Sequence, residues 1–81
     1  MSYLYVLRSK KEKWCYIGST RDLKKRLEDH NSGKTRSTRF YKPFELMYYE
    51  AYQNYSSARK RELELKNKGQ QKEILFERLG I

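Results

Sequence analysis

Residues 3–18 read Tyr3-Leu4-Tyr5-Val6-Leu7-Arg8-Ser9-Lys10-Lys11-Glu12-Lys13-Trp14-Cys15-Tyr16-Ile17-Gly18, two apolar and aromatic runs parted by a charged turn. Branched and aromatic side chains pack well on a pleated surface, so each run favours extended backbone, and the polar stretch from Ser9 to Lys13 joins them as a β-hairpin. Side chains alternate along a strand. Tyr3, Tyr5 and Leu7 therefore share one face of the first strand, with Leu4 and Val6 on the other. In the second, Trp14, Tyr16 and Gly18 separate from Cys15 and Ile17. Each strand has a tyrosine-bearing face and an aliphatic face.

Beyond the hairpin, Gly18 reads as the strand end that lets the chain turn. Ser19 or Thr20 supplies a hydroxyl cap for a helix from about Arg21 to His30, with Asp22 in its first turn and Asn31-Ser32-Gly33 as its stop. At 100° per residue Leu23, Arg26, Leu27 and His30 fall within a sector of roughly 100°, so Arg26 and His30 face the body of the protein one turn apart. Lys34 to Lys42 has four basic residues, two threonines and no acid, and reads as a loop or short irregular helix before Pro43. Phe44 to Tyr52 suits a third strand buried on both faces.

Asn54 or Ser56 is placed to cap a second helix, about Ser57 to Asn67, and a short amphipathic helix follows from Gln71 to Leu79. In the second helix Ala58, Glu62 and Leu65 share a face, while Glu64 points about 160° away from Glu62. A carboxylate among apolar positions requires a partner or a task. The element order is β-β-α-β-α-α, an α+β class, and no repeat or linker interrupts the 81 residues, which read as one domain over 1–81.

A chain this short buries only about 60% of the surface its unfolded form exposes, so the core is thin. Hydrophobic residues make up 37% of it and charged residues 36%, and eight tyrosines extend the core with rings whose hydroxyls still need polar partners. The net charge of +9 favours a polyanionic partner, for which nucleic acid is the first candidate. No apolar run approaches the ~18 residues of a spanning helix and no signal-peptide pattern precedes Tyr3, so a cytoplasmic protein without a membrane partner is expected. Cys15 is the only cysteine, which excludes an internal disulfide and a cysteine-rich zinc site and leaves oxygen ligands or His30 for any metal.

Tyr3-Leu4-Tyr5, then Tyr16-Ile17-Gly18, then Arg26 and His30, then Ala58-x-x-x-Glu62-x-x-Leu65-Lys66 together resemble the GIY-YIG nuclease superfamily, and within it the small stand-alone bacterial members. The resemblance runs from Tyr3 to about Lys68, and it is the order and spacing of five features that make it specific. It implies a three-stranded antiparallel sheet flanked by helices, with the active site on one face of the sheet. It also implies that Tyr5, Tyr16, Arg26, His30 and Glu62 converge, with Glu62 binding one divalent cation, Mg²⁺ or Mn²⁺. Two departures stand out. Tyr3 replaces the first glycine of the family motif, and Ser19 follows Tyr16-Ile17-Gly18 where some members carry a lysine, with Arg8 and Lys34 as possible substitutes for that cation.

The implied chemistry suits these residue types. Phosphodiester hydrolysis needs an activated water, charge neutralisation at the phosphate and help for the departing oxygen. Arg26 offers a planar fork of donors to phosphate oxygens, and either Tyr5 or Tyr16 would orient the water, although a free phenol has a pKa of about 10. His30 suits proton transfer or a phosphate contact. Each residue also has a plainer role open to it: packing for the tyrosines, an ion pair with Glu62 for Arg26, and helix capping for His30.

Lys34, Arg36, Arg39 and Lys42 are the expected nucleic-acid contacts, with Phe40 and Tyr41 available to stack on bases. The reading is thus a metal-dependent endonuclease acting on nucleic acid, DNA ahead of RNA, with no small-molecule cofactor. The alternatives are a nucleic-acid-binding module of the same fold that cleaves poorly or not at all, and a structural or protein-interaction domain.

Overall fold

A computed structural model describes residues 1–81. Strand β1 (Ser2–Ser9) and strand β2 (Cys15–Thr20) form the expected hairpin, followed by helix α1 (Leu23–Ser32), a single 3₁₀ turn (Arg39–Tyr41), strand β3 (Phe44–Tyr52), helix α2 (Tyr55–Asn67) and helix α3 (Gly69–Leu79). The three strands make one antiparallel sheet in the order β2-β1-β3. Element order and class match the expectation.

Strand alternation sorts the core into two layers. Leu4, Val6 and Ile17 pack with Leu65 of α2 and Leu75 of α3 on one face. Tyr5, Leu7 and Phe44 pack with Trp14, Tyr16, Leu23 and Leu27 on the α1 face. Each fully buried aliphatic side chain contributes roughly 1.5–3 kcal/mol.

Expectation and structure part at β3. Its apolar content suggests burial on both faces, but it pairs only with β1, and of its residues only Phe44 is buried. The doubly covered strand is β1, where Leu4, Tyr5, Val6 and Leu7 are at most 1% exposed because β1 has neighbours on both sides. A register shift at Val6/Leu7 lets β3 place Met47 and Tyr48 toward one layer and Leu46 toward the other.

The helix ends follow from capping. α1 starts at Leu23 rather than Arg21, because Asp22 accepts the Lys25 N–H at 3.0 Å while the Thr20 hydroxyl takes the Asp22 N–H at 3.1 Å. It stops where Gly33 adopts φ 82°, a left-handed conformation that glycine enters without a Cβ clash. Asn54 caps α2 by accepting the Ser57 N–H at 2.9 Å. No helix is long and apolar enough to cross a membrane.

Candidate active site

The site is assembled around Gly18. β1 and β2 pair so that Tyr5 lies opposite Gly18, in mid-strand rather than at the strand end expected for it. A Cβ at Gly18 would fall 2.5 Å from the Tyr5 hydroxyl, 2.6 Å from its Cζ and 2.9 Å from Tyr16 Cε2. The missing side chain is what lets the Tyr5 ring lie close against β2 with Tyr16 beside it, the two ring centroids 6.3 Å apart.

His30, on the last turn of α1, is fully buried. Its Nε2 is 2.9 Å from the Tyr5 hydroxyl and its Nδ1 is 2.8 Å from Thr38 Oγ1. Because the Thr38 hydroxyl donates to the Thr35 carbonyl at 3.4 Å, it accepts from His30 Nδ1–H, which assigns Nε2 as the acceptor of the Tyr5 O–H. Burial, reinforced by the Arg26 charge, brings His30 down from 6.5 to about 4, so the imidazole is neutral at pH 7. Burial likewise pushes Tyr5 up to about 12, against the opposing effect of Arg26. Tyr5 is therefore a protonated donor locked to His30, whereas Tyr16 is half-buried, its ring 5.1 Å from that of His30. A histidine so held is no mere helix cap.

Arg26 lies beside both tyrosines and makes no ion pair with any carboxylate. A pairing of Arg26 with Glu62 is thus not what the molecule contains. Glu62 is 4% exposed and bonded instead to Ser19 Oγ at 2.5 Å, Lys66 Nζ at 2.6 Å and Arg59 Nη1 at 2.7 Å. Burial alone would raise its carboxyl, but the donors from Lys66, Ser19 and Arg59 outweigh that and hold it below its ordinary value, so it is ionised at neutral pH.

The expectation of a site on one face needs correction. Tyr5, Tyr16, Arg26 and His30 gather on the α1 side, but Glu62 arrives with α2 on the other side, where Ser19 of the edge strand β2 holds it. Strand parity explains this: Ser19 points to the α2 side and holds Glu62, while Lys66 reaches past the edge to lie 5.4 Å from the Tyr16 ring centroid. Glu62 is still close enough to act electrostatically on Tyr5. The cations placed beside Tyr16 are accordingly Arg26 and Lys66, not Arg8, which lies across the sheet between Cys15 and Glu45, nor Lys34, whose ammonium is 4.0 Å from Asp29.

Thr38, Ser19, Lys66 and Arg59 were not singled out as site residues from sequence. Lys66 and Arg59 sit one turn either side of Glu62, a spacing that does mark them as its partners. Thr38 carried no such signal, since nothing local shows that it is the one buried residue of a basic loop. Lys34, Arg36, Arg39 and Lys42 are all exposed and apart from the tyrosines, and Thr38, within the same loop, bonds His30.

No group of three or more His, Cys, Asp or Glu side chains is arranged to cage a metal. A divalent cation here would rest on Glu62 and on water and phosphate oxygens, an arrangement that suits Mg²⁺, which retains several waters and takes one or two carboxylates. The ionised carboxylate is of the type that demand calls for, but Ser19 holds one of its oxygens and Arg59 and Lys66 the other, so a cation there would displace those partners.

A model of the GIY-YIG catalytic domain matches residues 1–74. UPF0213 proteins of Streptococcus pyogenes, from serotype M5 (strain Manfredo) and serotype M1, are each 45% identical over 58 residues, 70% of this chain and 62% of theirs. The chain thus matches less than two thirds of the length of these relatives. The solution NMR structure of a UPF0213 protein from Bacillus halodurans shares the fold with a TM-score of 0.54 and 30% identity, covering 93% of this chain and 83% of that one.

Proposed function

The chain belongs to the GIY-YIG catalytic-domain family, and from that premise we propose that it is a divalent-metal-dependent endonuclease hydrolysing phosphodiester bonds of nucleic acid, DNA ahead of RNA. The observation that carries the reading is a guanidinium without a carboxylate partner, Arg26, set beside Tyr16 and a neutral His30, with an ionised Glu62 round the strand edge. A half-buried cation whose side-chain partner is a phenol rather than a carboxylate keeps its charge uncompensated, which suits a phosphate.

In this reading Arg26 holds the phosphate oxygens, and Tyr16, the more accessible phenol, orients the attacking water. Lys66 lies over the Tyr16 ring, 5.4 Å from its centroid, while bonded to Glu62, and so links the phenol to the carboxylate. Tyr5 is a positioning residue: its hydroxyl fixes the His30 ring, and His30 in turn is held by Thr38. Glu62 would hold the Mg²⁺ or Mn²⁺, which when bound supplies charge neutralisation at the phosphate and a more acidic water.

One observation favours a second reading, a module that binds nucleic acid without cutting it: Arg59 and Lys66 already neutralise Glu62. Cleavage assays on plasmid, flap, branched, nicked and single-stranded DNA and on RNA with Mg²⁺ or Mn²⁺ separate the two. Tyr16→Phe is expected to lower kcat by about 10²–10⁴-fold with folding intact. Tyr5→Phe leaves His30 Nε2 without its donor and is expected to cost about 1–3 kcal/mol of stability. A wild-type protein that binds these substrates and cuts none of them leaves only the second reading.

A further inference from the structure

The 3₁₀ turn Arg39–Tyr41 is anchored on several sides. Thr38, at its start, is fully buried against His30. The Tyr41 carbonyl accepts from Ser9 Oγ at 2.5 Å, and the Tyr41 ring stacks on Trp14 with centroids 4.0 Å apart and planes 14° from parallel. The Lys10 N–H donates to the Pro43 carbonyl at 2.9 Å, which ties the hairpin turn to the same segment. Against this rigid base Phe40 is 71% exposed, more than any other large hydrophobic residue in the chain.

The surroundings of that ring are cationic. The Arg39 guanidinium lies 5.2 Å from the Phe40 centroid. Lys11 from the hairpin turn and Lys42 complete a recess of about 410 Å³, bounded by Ser32 and Gly33 at the end of α1, and no carboxylate side chain lines it. Lys11, Arg39 and Lys42 make no ion pairs within the molecule. A fixed aromatic face among free cations matches a nucleobase with phosphates on either side, since stacking tolerates any base and the cations follow the backbone. In an intact duplex the base faces are covered by their neighbours and only phosphates would meet this surface.

We propose that Phe40 is a stacking platform for an unpaired nucleobase, with Lys11, Arg39 and Lys42 holding the adjoining phosphates. The inference rests on the chain acting on nucleic acid, and it narrows the substrate to one that presents an unpaired nucleotide near Tyr5 and His30, to which Thr38 connects the platform.

The test is fluorescence anisotropy in EDTA, so that no cleavage enters, with a labelled oligothymidylate and a duplex of equal length. Phe40→Ala should weaken the single strand by about tenfold and leave the duplex unchanged. Phe40→Trp should restore single-strand affinity, and Lys11→Ala should lower the slope of log affinity against log salt by about one. Equal losses on both oligonucleotides, loss on neither, or failure of Phe40→Trp to restore binding would each overturn the platform; loss on neither would point to a protein partner for this surface. Phe40-dependent single-strand binding by a protein that never cuts would retain the platform while removing the nuclease reading.

Discussion

His30 is fully buried, and burial together with the Arg26 charge holds its imidazole at about 4 against an ordinary 6.5. The folded state therefore binds fewer protons than the unfolded chain between those values. The stabilisation from neutral His30 is fully present above pH 6.5 and is lost as pH falls toward about 4. Proton NMR of the folded protein should show His30 ring resonances unmoved from pH 7.5 to 5.5, with urea midpoints declining over the lower half of that window; an imidazole titrating near 6.5 in the folded protein would contradict the buried relay. The inward direction of His30 and Arg26 was legible from helix spacing, and the shared face of Tyr5 and Tyr16 from strand alternation. Their partners were not. Thr38 becomes a partner of His30, and Ser19 of Glu62, only through tertiary placement of a loop and a strand edge, which no local pattern encodes. Gly18 looked like punctuation because the need for a bare Cα there is created by Tyr5 on another strand.

Between residue and molecule, α2 is the element on which the site depends most, because it alone brings Glu62 to the β2 edge. It is tied down at three places. Asn54 caps its first turn, Leu65 enters the core with no exposure, and Arg61 bonds Glu50, which also accepts from the Tyr48 and Tyr52 hydroxyls at 2.6 and 2.5 Å. Asn54→Ala should lower the unfolding free energy by about 0.5–2 kcal/mol in chemical denaturation. No change would mean that the cap is replaced by water and that α2 is held by packing alone. Element types and order could be read from periodicity and capping residues, and the bounds of β3 coincide with the expected Phe44 to Tyr52. Its burial could not, because whether a strand is central or at an edge is decided by sheet order, and apolar content alone made β3 look like the interior strand that β1 is.

Across the whole molecule, charge is partitioned. Asp29, Glu50, Glu62 and Glu64 are engaged in internal ion pairs, whereas Lys10, Lys11 and Lys13 of the hairpin turn and Arg36, Arg39 and Lys42 of the following basic loop make none, within a net charge of +9. That distribution supports salt-sensitive binding of a polyanion. The negative group shielded from solvent and linked through Lys66 to the Tyr16 ring is Glu62, and the catalytic reading stands or falls with it. The most direct measurement compares cleavage of a labelled nucleic acid in Mg²⁺ or Mn²⁺ by the wild type and Glu62→Gln, alongside binding in EDTA. The account predicts that Glu62→Gln cuts slower by on the order of 10²-fold or more while binding as well as the wild type or slightly better, because Arg59 and Lys66 lose the charge that neutralises them. Cleavage by Glu62→Gln at the wild-type rate would contradict it.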